Sequence, residues 1–253
     1  IGSESLNGCT TGSFNIGIGR NAEQGTTDGN SNVAIGAYAN DAGNTSGVVA
    51  VGANALGANT GDFNVAIGYN SLLANTTGTG NSALGKDALK NNTTGNNNIA
   101  IGNLALDANT EGITNVAVGV NSLGGNTTGN ENTAIGQQTL LANTTGSYNT
   151  AVGSNALDAN TTGTVNVAIG RRALSANTTA SHNTGVGNNS LNQNTTGTRN
   201  TGLGGYSLDA NTTGNDNVGL GYQAGTDITT GSQNTVIGSA AGANISTASN
   251  NVA

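Results

Sequence analysis

The chain has 253 residues, of which 42 are Gly and 44 are Asn, so two residue types make up a third of it. Only 8% are charged and 3% aromatic, and Pro, Met and Trp are absent; an ordinary soluble domain carries about 25% charge and about 7% Gly. A net charge of −7 argues against nucleic acid or an anionic membrane as partner, because phosphate binding needs a basic surface, and no apolar run approaches the roughly 18 residues of a membrane-spanning helix.

Along the chain, a Gly preceded by Ile, Val or Leu recurs at Gly2, Gly19, Gly36, Gly52, Gly68, Gly85, Gly102, Gly119, Gly136, Gly153, Gly170, Gly187, Gly204, Gly221 and Gly238. The spacing is 17 residues except for two steps of 16 between Gly36 and Gly68. Leu stands four residues after the anchor in 11 of 15 repeats, and from Gly68 onward the Asn of an Asn-Thr-Thr triplet stands seven after it in most. Such a period is too short for helical-hairpin repeats, which need over about 30 residues, or for leucine-rich repeats, which need about 20 or more. β-Branched residues alternate with small ones before each anchor, as in Thr150-Ala151-Val152, which is the period of a strand. Gly and Asn-Thr-Thr-Gly suit turns and break helices. The predicted fold is all-β: a parallel β-solenoid of about 15 coils with 17 residues per coil, forming a single uninterrupted array over residues 1–253.

The alternation also suggests a core. Val65 and Ile67 share one strand face and Ala66 takes the other. The larger residues (Ile67, Leu84, Ile101, Val118) and the Leu rank (Leu72, Leu89, Leu106, Leu123) are expected to fill the interior. The small rank, Ala66 through Ala168 and then Gly185, Gly202 and Gly219, is expected on the outer face, where close approach of another backbone would explain it. A homotrimer seam is the reading favoured; the alternative is a single-chain solenoid whose small rank fits a tight bend. Gly225 and Gly242 replace Leu, and Ile228 and Ile245 follow as substitutes. Glu23 and Asn40 replace it without one, so looser packing is expected there.

The Asn-Val-Ala-Ile-Gly segments at 32–36, 64–68 and 166–170 resemble the head repeats of trimeric autotransporter adhesins, and similar repeats occur in bacteriophage tail fibres. The resemblance implies a left-handed parallel β-roll with three chains about a common axis. This sequence departs from the family in its longer, 17-residue period, which comes from the inserted Asn-Thr-Thr-Gly corner.

Residues that could carry chemistry are few. Catalysis needs converging acids, bases or nucleophiles, but the one His (His182) and the one Cys (Cys9) lie about ten repeats apart. Asp107, Asp158 and Asp209 are three repeats apart, too far to share an ion within one chain, and are read as solvated. Gly202-Leu203-Gly204 opens no helix, so it is not a nucleotide loop. No catalytic, metal or cofactor site is expected, and the chain is read as no enzyme. The Asn-Thr-Thr rank has three readings. It is a structural corner of stacked amides; a row of N-glycan acceptors at Asn75, Asn92, Asn126, Asn143, Asn160, Asn177, Asn194 and Asn211; or an ice-binding Thr array, for which adjacent Thr76 and Thr77 would face opposite ways. The corner reading is favoured.

The expected function is that of a rigid structural fibre segment, extracellular, on a cell surface or virion, in an adhesin or tail fibre. Its first partner is itself, as a homotrimer, and a host-surface receptor or glycan along the shaft is the alternative role. Joining Asn251-Val252-Ala253 to Ile1-Gly2 restores the motif, so the chain is expected to be a window on a longer fibre.

Overall fold

The computed structural model describes every residue except Ala243. Contacts group the chain into two compact units, Ile1–Thr128 and Gly129–Ala253, and the same repeat builds each. The first unit holds β1 (Ile16–Ile18), β2 (Val33–Ile35), β3 (Val49–Val51), β4 (Val65–Ile67), β5 (Ser82–Leu84), β6 (Ile99–Ile101) and β7 (Val116–Val118). The second holds β8 (Thr133–Ile135), β9 (Thr150–Val152), β10 (Val167–Ile169), β11 (Thr184–Val186), β12 (Thr201–Leu203), β13 (Val218–Leu220) and β14 (Thr235–Ile237). Each strand ends at an anchor Gly, and neighbours pair parallel and in register, as in Ala66↔Ala83↔Ala100 and Ala168↔Gly185↔Gly202. Fifteen anchors give fourteen strands because no strand precedes Gly2. Each unit is thus a parallel β-solenoid.

The anchor has to be Gly on two counts. Its φ is about +130° throughout, for example +138° at Gly102 and +132° at Gly170, a region that L side chains rarely enter. A methyl group there would also sit 2.5 Å from the carbonyl oxygen of the next anchor, Gly119 above Gly102 and Gly187 above Gly170.

The predicted Leu rank is the core. Leu56, Leu72, Leu89, Leu106 and Leu123 in the first unit, and Leu140, Leu157, Leu174, Leu191 and Leu208 in the second, are fully buried. These leucines are left-handed, with φ of +54° at Leu106 and +52° at Leu140. That conformation costs roughly 1–2 kcal/mol, against about 1.5–3 kcal/mol from burying a Leu side chain.

The strand faces are the reverse of the expected ones. Ala66, Ala83, Ala100, Ala117, Ala134, Ala151 and Ala168 point inward and are buried, while Ile67, Leu84, Ile101 and Ile169 are about 40% exposed. The cause is the width of the coil. A Cβ built on Gly185 would lie 3.3 Å from Cγ of Leu174, in the preceding coil, and 3.2 Å from the Ser190 carbonyl oxygen. Leu fills the interior so fully that only hydrogen or a methyl fits opposite it. The small rank therefore belongs to the chain's own core and forms no seam between chains.

The last coils confirm this rule by exchanging the two sizes. Gly225 replaces Leu, and the inward strand residue of the next coil, Val236, is the large one and is fully buried. Ile228 is buried too, as expected, while Ile245 is half-buried. Glu23 and Asn40 occupy the Leu position and are likewise fully enclosed, so those coils differ in polarity and not in closure.

Leu106→Ala and Leu140→Ala should each destabilise their own region by about 2–5 kcal/mol, measured as faster amide exchange in neighbouring coils rather than global unfolding. Leu106→Gly should be no worse than Leu106→Ala, because Gly relieves the positive φ. A clearly less stable Gly variant would mean that the left-handed conformation is not a constraint at this position.

Candidate functional site

The eight Asn residues of the Asn-Thr-Thr rank are all fully buried, and the rank also includes Asn59 and Asn109. Above Asn59, whose amide donates across its own turn to the Gly61 carbonyl, the amides reach down to the Asn of the preceding coil and across their own turn. Asn92 Nδ2 donates to Asn75 Oδ1 at 2.7 Å and to the Gly95 carbonyl at 2.9 Å. Asn75 does the same with Asn59 and Gly78. In the second unit Asn160, Asn177, Asn194 and Asn211 each make both bonds. Asn126 Nδ2 donates to Asn109 Oδ1, and Asn143 Nδ2 to the Gly146 carbonyl. A sugar on Nδ2 would need a proton that the ladder uses and a path through the coil wall. The folded rank therefore presents no accessible acceptor, and the structural-corner reading describes its geometry.

The ladder stops where the sequence stops it. Ile228 occupies the Asn position in its coil, and Asn211 Oδ1 below it is buried without a hydrogen-bond partner. The apolar filling of the last coils thus costs one unsatisfied carbonyl.

A second amide ladder was not anticipated. The Asn that opens each Asn-Val-Ala-Ile-Gly motif is buried at Asn64, Asn81, Asn98 and Asn115, and again from Asn132 to Asn234. Asn81 Oδ1 accepts from the Asn98 backbone N–H at 2.9 Å, while Asn98 Nδ2 donates to the Gly112 carbonyl at 2.8 Å. In the second unit Asn183 Oδ1 and Asn200 Nδ2 repeat the arrangement with the Asn200 N–H and the Gly214 carbonyl. Its signal was in the sequence: Asn stands four residues before every anchor from Gly19 to Gly238 except Gly52, where Val48 replaces it.

The threonines do not divide into one inward and one outward rank as their adjacency implied: Thr76 and Thr77 are both exposed, as are Thr144 and Thr145. The first of each pair bonds upward, Thr76 Oγ1 to the Thr93 carbonyl at 2.9 Å and Thr195 Oγ1 to the Thr212 carbonyl at 3.0 Å. The second, as at Thr77, Thr94, Thr162 and Thr196, is exposed. The first rank is thus exposed or half-buried and has its hydroxyls engaged by the next coil, while the second is exposed.

The acidic residues are less solvated than expected. Asp107, Asp158 and Asp209 are half-buried. Burial holds the Asp107 and Asp209 carboxyls above the ordinary carboxylate range, against the lowering effect of nearby backbone N–H groups. Asp158 Oδ2 accepts from Asn155 at 3.3 Å and its other oxygen is buried without a partner. His182 is exposed and Cys9 is a half-buried free thiol. Among the described residues no group of three His, Cys, Asp or Glu side chains could hold a metal ion, and no helix is long and apolar enough to cross a membrane.

Two exposed features remain in each unit. One is the outer strand face. In the first unit its fourteen positions are all aliphatic except Ser82; in the second, Thr133, Thr150, Thr184, Thr201 and Thr235 interrupt nine aliphatic residues. The other is a ridge of left-handed residues five before each anchor, with varied chemistry. It carries Phe14 and Phe63 in the first unit, and Tyr148, Val165, His182 and Arg199 in the second, with φ between +58° and +63°. Phe14 is 88% and Phe63 68% exposed. Arg199 grips Asp216, one coil on, through two bonds of 2.6 and 2.9 Å. Beside the short repeats, Gly57 leaves a shallow groove of about 510 Å³ between Asp41 and Leu73, with Tyr38 and Asn54 at its side. Compared with protein-family models and with curated proteins, the chain matches none.

Asn92→Ala would leave Asn75 Oδ1 buried without its partner, at about 1–3 kcal/mol for a buried group unpaired, while the Gly95 carbonyl keeps Asn81 and Asn109 Nδ2 keeps the Gly112 carbonyl. Amide exchange over residues 75–112 should quicken strongly, while exposed Asn91→Ala leaves it unchanged; equal rates in the two variants would discount the ladder. Secreted through a glycosylating pathway, the folded, protease-resistant fraction should carry no sugar at Asn143 or Asn160. Glycopeptides recovered from that fraction by mass spectrometry would contradict the enclosure of these amides.

Proposed function

We propose that this chain is a structural segment of an extracellular fibre, a rigid spacer that presents its lateral surface, and that it assembles as a homotrimer through its outer strand face. The observation that carries the reading is the uncharged aliphatic surface in each unit: Leu84, Ile99 and Ile101 are 40–47% exposed in the first, as are Ile135, Ile169 and Leu203 in the second. Contiguous apolar patches of this kind on soluble proteins mark contact surfaces. Covering each such side chain is worth about 1 kcal/mol, a fraction of the full burial value, and the repeat supplies many in line. The seam proposed is thus the Val/Ile face and not the small rank. Array architecture supports the spacer role, since each coil contacts only its neighbours and length grows by adding repeats. The resemblance to adhesin heads and tail fibres supports a place on a cell surface or virion.

A second reading, a module that contacts surface glycans or receptors, is favoured by the exposed rings of Phe14, Phe63 and Tyr148. Aromatic faces stack on apolar ligand surfaces.

Sedimentation equilibrium should give three times the 24.5 kDa chain mass. Ile101→Glu would bury a charge in the seam, which is strongly unfavourable, and should yield a lower mass with β-structure retained; exposed Thr94→Glu should leave the trimer intact. A monomer for the unaltered chain would refute the assembly.

A further inference from the structure

Glu23 stands where ten later coils bury Leu. It is fully enclosed, and neither carboxyl oxygen has a hydrogen-bond partner. Its polar neighbours are bonded to other groups: Thr26 Oγ1 donates to the Gly43 carbonyl at 3.0 Å, Asn32 Nδ2 to the Thr45 carbonyl at 2.7 Å, and Asn40 Nδ2 to Thr45 Oγ1 at 2.9 Å. Asn40, also fully buried, takes the Leu position one coil on. The interior of these coils is therefore polar, and at its centre is an enclosed acid with no counter-ion among the described residues.

The other charged residues of the surrounding coils are Glu4, Arg20, Asp28 and Asp41. Glu4 accepts from Gln24 at the surface, the Arg20 guanidinium lies 4.7 Å over the Tyr38 ring, Asp28 pairs with Asn44, and Asp41 is half-buried. The titratable Cys9 thiol points to the Gly12 carbonyl. Among the described residues no salt bridge reaches Glu23. An ionised carboxylate enclosed without a partner is strongly disfavoured.

We infer that Glu23 is a proton-operated latch on the N-terminal coils. With the carboxyl neutral, the coils close as observed. When the proton leaves to solvent, the carboxylate needs water, and the segment from Leu6 to Asn40 opens locally to admit it. Burial raises the Glu23 carboxyl above its ordinary value of 4.5, and nearby Asn32 and Thr26 offset only part of this. For an acid raised on folding, the unfolded chain releases its proton first. The stabilisation is complete below 4.5 and is lost as pH climbs through the folded value. The N-terminal coils are thus firmest in acid. The latch belongs to the single chain and stands independently of the fibre reading.

The full chain has four Glu residues: Glu4, Glu23, Glu111 and Glu131. Carbon-13 labelling of Glu carboxyls should show one carboxyl titrating above the ordinary Glu value, and that signal should be absent from Glu23→Gln. Over residues 1–48, amide protection corrected for intrinsic chemistry should fall about tenfold for each unit of pH between the two pKa values. Burial raises the Asp41 carboxyl as well, so the variants are compared in the Asp41→Asn background: there the fall should persist, Glu23→Gln should abolish it, and Glu23→Leu should protect the segment at every pH. The absence of a raised Glu carboxyl would overturn the latch, as would a pH dependence that disappears with Asp41→Asn alone or that survives Glu23→Gln in the Asp41→Asn background. Should Glu23→Gln fail to fold, the carboxyl titration of the unaltered chain decides alone.

Discussion

Buried amide side chains that hydrogen-bond from coil to coil are the constraint on which the rest depends. An amide enclosed without partners costs free energy, and an Asn in one of these coils finds its partners only if the next coil places an Asn or a backbone group at the same height. Asn81 therefore needs both Asn64 and Asn98, and Asn92 needs Asn75 and Asn109. Regularity of the sequence follows from this mutual dependence. Its breaks are matched or leave a visible cost: Val48 still gives its backbone N–H to Asn32 Oδ1, whereas Ile228 leaves Asn211 Oδ1 unpaired.

Between the two ladders the apolar filling follows a rule of size. One Leu per coil reaches the inward residue of the next strand, and only a small residue fits there. Where Leu becomes Gly225, the inward residue becomes Val236, and the space is closed from the other side. The price in backbone conformation is a left-handed Leu in each ordinary coil, sustained because the side chain is wholly withdrawn from water. Glu23 and Asn40 break this rule in polarity alone, so the first coils are closed but chemically unlike the rest.

Much of this was legible from residues. The Gly anchors placed the strands, since a residue that must be Gly at a stacked turn recurs without exception. The Leu rank read correctly as core, and Ile228 read correctly as the substitute for Gly225. The strand faces were misread because Val65, Ala66 and Ile67 are all apolar. Alternation separates two faces, but with no polar face it gives no phase, and volume alone pointed the larger side chains inward. The second Asn ladder was missed for a related reason: Asn is ordinarily a surface residue, and only its partners make it an interior one. Half-burial of Asp107, Asp158 and Asp209 was equally invisible, because it depends on what the adjacent coils place beside them.

By itself, the sequence determined the period, the all-β class, the parallel stacking of like on like and the identity of the Leu core, because each of these is a matter of recurrence along the chain. The tertiary structure decided which strand face is inside, which amides are enclosed and which acid lacks a partner. Those depend on the width of the coil, and that width is set by how Leu174 meets Gly185 and how Asn92 meets Asn75 across a distance the one-dimensional pattern does not contain.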